Sequence, residues 1–236
     1  MTMYDIWQGF LQALLLLLGG DEEIYQVIFM TLRVSGLATA ISVLLGLPVG
    51  LWLALRDFPG KQVVISLVNF AMGLPPVVVG LFVSLLLWRY GPLGPLGLMY
   101  TPWAMITAQA VIASPIIAGL SFAAIGGLNP KLRLQLLSLG ATPLQANWIL
   151  VKEAKLGLMA AVIAGFGGVV SEVGASMMVG GNIKDQTRVL TTATVMEVGK
   201  GNYDSALALS FVLLLLSYSV VAVLTYAQNS GKRDSV

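Results

Sequence analysis

Five long apolar runs separated by polar turns set the pattern of this chain. They extend approximately over Val34 to Leu55, Val63 to Trp88, Trp103 to Gly126, Leu156 to Gly180 and Ala206 to Tyr226. Each clears the ~20 residues a helix needs to cross a bilayer. The pattern therefore predicts an all-α membrane protein, with five transmembrane helices in a single domain over residues 1–236. A shorter run, Ile6 to Leu18, falls short of a sixth span, and the spacing of its Trp7, Phe10, Leu11 and Leu14 is that of one helical face. It predicts an amphipathic N-terminal helix lying at the membrane surface, within an interfacial segment 1–24. A cleaved signal peptide fits less well, because no basic residue precedes the run and Asp21, Glu22 and Glu23 follow it.

Between the third and fourth runs, the stretch Asn129 to Glu153 is written as two helices around a corner. Asn129 can cap and Pro130 can start the first helix, which stops at Gly140, the residue type best able to take a left-handed conformation past a helix end. Thr142, Pro143 and Gln145 then read as the N-cap, first position and reciprocal partner of a capping box. No breaker separates the second helix from the fourth apolar run. This predicts a stiff rod entering the bilayer, so that a push on Gly140 and Ala141 would move a membrane span. An ordinary helical loop is the competing reading.

Composition agrees with the membrane assignment: 57% of residues are apolar and 10% charged, against roughly 25% charged in soluble domains. Alternate sides of the five spans carry unequal positive charge. Arg56, Lys61, Lys131, Arg133, Lys152, Lys155, Lys232 and Arg233 fall on one side; Arg33, Arg89, Lys184, Arg188 and Lys200 fall on the other. The richer side is predicted to be cytoplasmic, which puts region 127–153 and the C-terminus inside and the N-terminus outside. A net charge of +2 gives no suggestion of nucleic-acid binding. The chain has no Cys and no His, which excludes disulfides and thiolate metal sites and removes the commonest metal ligand and general base.

Within the spans, Gly46-Leu-Pro-Val-Gly50 predicts close helix packing around a kink. Gly73-Leu-Pro-Pro76 interrupts the second span, and backbone freed there must face protein or a wet cavity; Pro75 and Pro76 either line a path or only bend the helix. The fourth span contains the one intramembrane acid, Glu172. Placing a carboxylate at a helix centre costs on the order of 2.5–3.5 kcal/mol, so Glu172 is expected to face the interior. With Ser171, Gly174 and Ser176 it makes a candidate path or gate. The alternative is a structural Glu bonded to hydroxyls of a neighbouring helix. Outside this span, Asn182, Thr187 and Arg188 form a candidate outer mouth, with a short helix expected over 187–194 and Arg188 able to meet an oxyanion.

The run SLGATPLQANW resembles the cytoplasmic coupling loop of ABC-importer permeases. Gly140, with Ser138, Leu139, Ala141, Thr142 and Pro143 around it, matches; Leu134, Gln135 and Leu136 replace that family's Glu-Ala-Ala box, and Lys152 and Glu153 replace its closing Pro. Ser171-Glu-Val-Gly-Ala175, Gly180-Gly-Asn-Ile183, Thr187-Arg188 and Thr191-Thr192 resemble the molybdate, tungstate and sulfate branch. Ala160 to Gly167 and Met177 to Asn182 look most like its tungstate permeases. The resemblance implies a type I ABC-importer permease fold in a prokaryotic plasma membrane. It also implies a second copy of the chain, a cytoplasmic ATPase dimer contacting Leu139 to Pro143, and an extracytoplasmic oxyanion-binding protein. ATP and Mg would sit on the ATPase, and the chain itself would be no enzyme and bind no cofactor. No G-x-x-x-x-G-K-[ST] loop occurs in the sequence, in keeping with nucleotide chemistry on another polypeptide. The rivals are a molybdate or sulfate permease of the same type and a stand-alone carrier or channel using Glu172. Internal inverted repeats, which would favour a carrier, are not visible in the Gly and Pro spacing.

Overall fold

The computed structural model describes residues 3–230; Lys232 and Arg233, used in the charge count, lie outside them. The described residues are helical with no strand. In chain order the α-helices are α1 (Met3–Leu18), α2 (Glu22–Leu55), α3 (Lys61–Met72), α4 (Pro76–Leu87), α5 (Pro102–Gly126), α6 (Pro130–Ser138), α7 (Pro143–Glu153), α8 (Lys155–Val170), α9 (Gly174–Gly180), α10 (Leu190–Gly199) and α11 (Tyr203–Ser230). Three of them, α2, α5 and α11, are long and apolar enough to cross a membrane unaided. Two bent pairs, α3–α4 and α8–α9, bring the number of candidate spans to five.

The spine is the α2–α5 pair. A Cβ on Gly46 would collide with the Ser114 carbonyl oxygen, and one on Gly50 with that of Ala118. The two backbones therefore touch, and Pro48 is accommodated within α2. Around this seam lies a core including Val34, Ala38, Val83, Met105, Ile106 and Val179. Helix α2 has 34 residues, about 51 Å at 1.5 Å per residue, so it outruns a hydrocarbon layer ~30 Å thick. Its first turn is opened by Asp21, which accepts the Ile24 N–H at 3.1 Å.

The surface helix predicted at the N-terminus has a protein partner. Ala13 of α1 is fully buried with Ala208, Leu209 and Val212 of α11, and Phe10 meets Phe211 edge-on at 5.6 Å. Trp7, Leu15 and Leu18 remain exposed. On the chain between α4 and α5 and at the start of α5, Trp88, Tyr90, Tyr100 and Trp103 are exposed as an aromatic fringe, and the Tyr100 N–H donates to the Val179 carbonyl at 2.9 Å, tying that loop to α9.

Candidate functional site

The second span turns by 97° between α3 and α4. Two prolines explain the angle: a residue preceding proline is driven out of the helical region, and Pro75 is accordingly extended (φ −60°, ψ 124°) with Pro76 opening α4. The break was expected, but its size makes this two helices at a right angle rather than a kinked rod.

The fourth span departs further from expectation. Glu172 is not in the middle of a helix; it lies in a three-residue break, Ser171 to Val173, between α8 and α9, which diverge by 58°. Its Oε1 accepts the Ala175 N–H at 2.8 Å, so the carboxylate serves α9's exposed backbone donors. Its main-chain carbonyl accepts from Thr191 Oγ1 at 3.3 Å. Neither the central helical position nor a carboxylate-to-hydroxyl bond across helices describes it. Glu172 is 9% exposed, and the acid is tolerated because backbone N–H groups left open by the break need an acceptor.

The two breaks meet. A Cβ on Gly174 would come within 2.7 Å of Val77 Cγ2, and one on Gly80 within 2.6 Å of Ala175 Cα. The starts of α4 and α9 thus lie side by side, bringing the Pro75–Pro76 turn to the Glu172–Gly174 break. Ser176 joins from within: it is fully buried and accepts from Gln109 Nε2 of α5 at 3.0 Å. Ser171 does not join this buried group, because it is exposed and its hydroxyl folds back to the Gly167 carbonyl at 2.8 Å.

The segment after α9 is more ordered than its polarity suggested. Its helix starts at Leu190, three residues later than expected, and continues to Gly199. Thr187 is fully buried; its hydroxyl donates to the Gly180 carbonyl and accepts the Ile183 N–H. Asn182, at φ +50°, accepts from Thr192 Oγ1 at 2.8 Å. Thr31 of α2, absent from the sequence reading, accepts the Leu190 N–H at 2.9 Å. Arg188 is not a free cation: its Nη1 lies 3.2 Å from Glu23 Oε1, while Lys184 Nζ lies 2.6 Å from Glu23 Oε2. The Glu23 partnership holds the Lys184 pKa above its usual value. The sequence showed both cations, but a partner 161 residues away leaves no local signal.

The corner between α6 and α7 forms as expected. Gly140 sits at φ +88°. Its N–H donates to the Leu137 carbonyl at 3.0 Å and that of Ala141 to the Leu136 carbonyl at 3.1 Å, the paired bonds of a Schellman end to α6. Thr142 and Gln145 close the capping box in both directions, at 3.3 and 2.8 Å, with Pro143 next to the cap. Leu139 and Leu144 are 85% and 81% exposed on either side of the corner. The predicted rod is divided at Ala154 (φ −77°, ψ 0°) into α7 and α8. Hydrogen bonds from Ala154 N to Leu150 O and from Leu158 N to Ala154 O, both 2.9 Å, carry the chain across that joint. No group of acidic residues suited to a metal occurs among the described residues.

Comparison with known proteins bears on what such an assembly is. The chain is 39% identical over 222 residues to the tungstate uptake system permease protein TupB of Peptoclostridium acidaminophilum, covering 94% of this chain and 97% of that one. It is 37% identical over 213 residues to the TupB of Campylobacter jejuni, covering 90% and 89%. Among solved structures, an inward-facing MetNI methionine ABC transporter superposes with a TM-score of 0.69 at 22% identity, covering 92% of this chain and 97% of that one, which shows a shared fold. Residues 46–230 match the model of the binding-protein-dependent transport system inner membrane component family. From the corner at Gly140 to the paired breaks, the chain is a permease subunit with no enzymatic role of its own, and it belongs to that family.

Proposed function

We propose that this chain is the translocating subunit of an ABC importer that carries a tetrahedral oxyanion, tungstate, from an external binding protein to the cytoplasm. The observation that carries this reading is the route from corner to break: the Gly140 hairpin leads through α7 and α8 into the Glu172 break. The names of the two tungstate relatives support the substrate. Residues 1–236 act as one domain, with region 127–153 and the C-terminus in the cytosol and the N-terminus outside.

Two copies of the chain enclose the path. In keeping with this, α3 buries none of its residues, and Val63, Leu67 and Phe70 are exposed. An ATPase dimer carrying ATP and Mg receives Leu139, Gly140, Ala141, Thr142 and Pro143. Its closure displaces α7 and α8, and the paired breaks at Pro75–Pro76 and Ser171 to Ser176 change access from one side to the other. Asn182, Thr187 and Arg188 shape the outer mouth. Selectivity resides mostly in the binding protein, because a path that holds a dianion tightly would slow its release.

Reconstitution in proteoliposomes with the ATPase and binding protein tests this. ATP-dependent tungstate uptake that excess molybdate and sulfate suppress poorly is the expected result. Better uptake of molybdate or sulfate would overturn the substrate, and uptake without any ATPase would overturn the mechanism in favour of a carrier.

A further inference from the structure

The outer end of the molecule contains a charge arrangement that the path and the corner do not use. Glu23, in the first turn of α2, bridges Lys184 and Arg188 on the segment between α9 and α10, at 2.6 and 3.2 Å. The two cations belong to a body braced from within, through Thr187 to Gly180 and Ile183 and through Thr192 to Asn182. Glu23 belongs instead to the α2 spine. The ion pairs, with the Thr31–Leu190 bond deeper in, therefore join the spine to the part of the chain that follows the break at Glu172.

Arg188 is only partly used. Its side chain is 16% exposed, one Nη1 contact goes to Glu23, and its buried Nε has no hydrogen-bond partner. A buried unpartnered donor is uncommon and calls for an explanation, and a guanidinium presents its donors as a fork suited to two oxygens of one anion. Beside it opens a cleft of about 250 Å³ lined by Glu23, Lys184, Asp185 and Arg188 over Val27 and Met30. Glu197 contributes a further negative field at Arg188 from α10. With Glu23 in place the cleft's two acids, Glu23 and Asp185, balance its two cations, and Lys200 offsets Glu197 at 2.8 Å; moving Glu23 aside leaves Lys184 and Arg188 outnumbering Asp185.

We propose that Lys184 and Arg188 form a reception site for the incoming oxyanion and that Glu23 holds the anion's place while the outer mouth is shut. Movement of the first turn of α2 away from the 183–189 segment, with the Thr31–Leu190 bond below it kept, withdraws the carboxylate and presents both cations to the dianion. Reclosure returns Glu23, which competes with the dianion for the same donors and sends it inward. The site thus binds only in the open state. This inference rests on the orientation and substrate class proposed above.

The assembled transporter, with ATPase and binding protein in proteoliposomes, provides the test. The chain lacks Cys, so the double variant Gln26→Cys, Gln186→Cys, which places thiols on the two walls of the same cleft without touching its charges, can be bridged by a short bis-methanethiosulfonate linker and released with dithiothreitol. Bridging is expected to lower uptake by about tenfold or more, in the range of ordinary coupling between sites, and reduction to restore it. Separately, free tungstate is expected to raise the melting temperature of the permease–ATPase complex in Glu23→Gln but not in Glu23→Gln, Arg188→Gln. Uptake unchanged by complete bridging would overturn the closure. No greater stabilisation of Glu23→Gln than of the unaltered complex would overturn the reception site. Absence of ATP-driven uptake by the unaltered transporter would instead count against the proposed function.

Discussion

Replacing Gly140 separates the geometry of the corner from its chemistry. The glycine is at φ +88°, and a Cβ added there meets nothing within 4 Å, so a substitution introduces backbone strain without a clash. Holding an L-residue in the left-handed region costs roughly 1–2 kcal/mol, and more for a β-branched one. If the chain relaxes instead, it loses the bonds to the Leu137 and Leu136 carbonyls, each contributing about 0.5–1.5 kcal/mol. Either way, one to two kcal/mol lowers the ratio of correctly bent to unbent hairpins by a factor of about 5–30. Uptake per ATP hydrolysed, measured in proteoliposomes, should therefore fall in the order Gly140→Asn, Gly140→Ala, Gly140→Val. Asparagine should stay nearest the parent because it visits positive φ readily, and all three proteins should reach the membrane in normal amounts. Equal coupling in the Val variant would refute the need for this backbone angle. Failure of all three alike would show that bare backbone at the partner's surface matters, not conformation.

Other consequences are open to direct measurement. Gly46→Val drives a side chain into the Ser114 carbonyl oxygen and should destabilise the purified subunit by about 1–3 kcal/mol or more. Gly36→Ala, on the same helix with nothing within 4 Å, should hold or slightly raise its melting temperature, because alanine is favoured over glycine in a helix interior by about 0.8–1.0 kcal/mol. Glu172→Gln keeps an acceptor for the Ala175 N–H and should assemble normally, whereas Glu172→Ala should lose about 0.5–2 kcal/mol, seen as a lower melting temperature. Hydrogen bonds from Lys200 and Asn202 hold the Glu197 carboxyl below its usual 4.5. The stability it contributes is therefore present above 4.5 and lost as pH falls through the lowered folded value. Hydrogen-exchange protection at the end of α10, corrected for intrinsic rates, should weaken in that acidic window, and Glu197→Gln should flatten the response.

The elements legible in the sequence are those with local causes. A bilayer's thickness imposes run length, so the spans could be counted; Pro75–Pro76 and the Asn129, Gly140 and Thr142 signals act on neighbouring residues and were visible there. The Glu172 break was not. Gly167 to Ser176 contains no proline, and a helix tolerates each of its residues singly; the interruption is stabilised by Thr191 and Val77, which are distant in sequence. Likewise the polarity of residues 183–189 suggested solvent, while the buried Thr187 hydroxyl is satisfied by main-chain groups of its own turn. The joint at Ala154 has no breaker residue to announce it.

Leu139 and Leu144, almost bare on either side of the corner, carry a cost outside transport. In the proposed orientation, a subunit made without its ATPase displays two greasy knobs to the cytosol, the kind of surface that chaperones hold and proteases find. Synthesis in excess of the partner should then be self-correcting: unaccompanied copies are removed, and those whose thumb is sheathed survive.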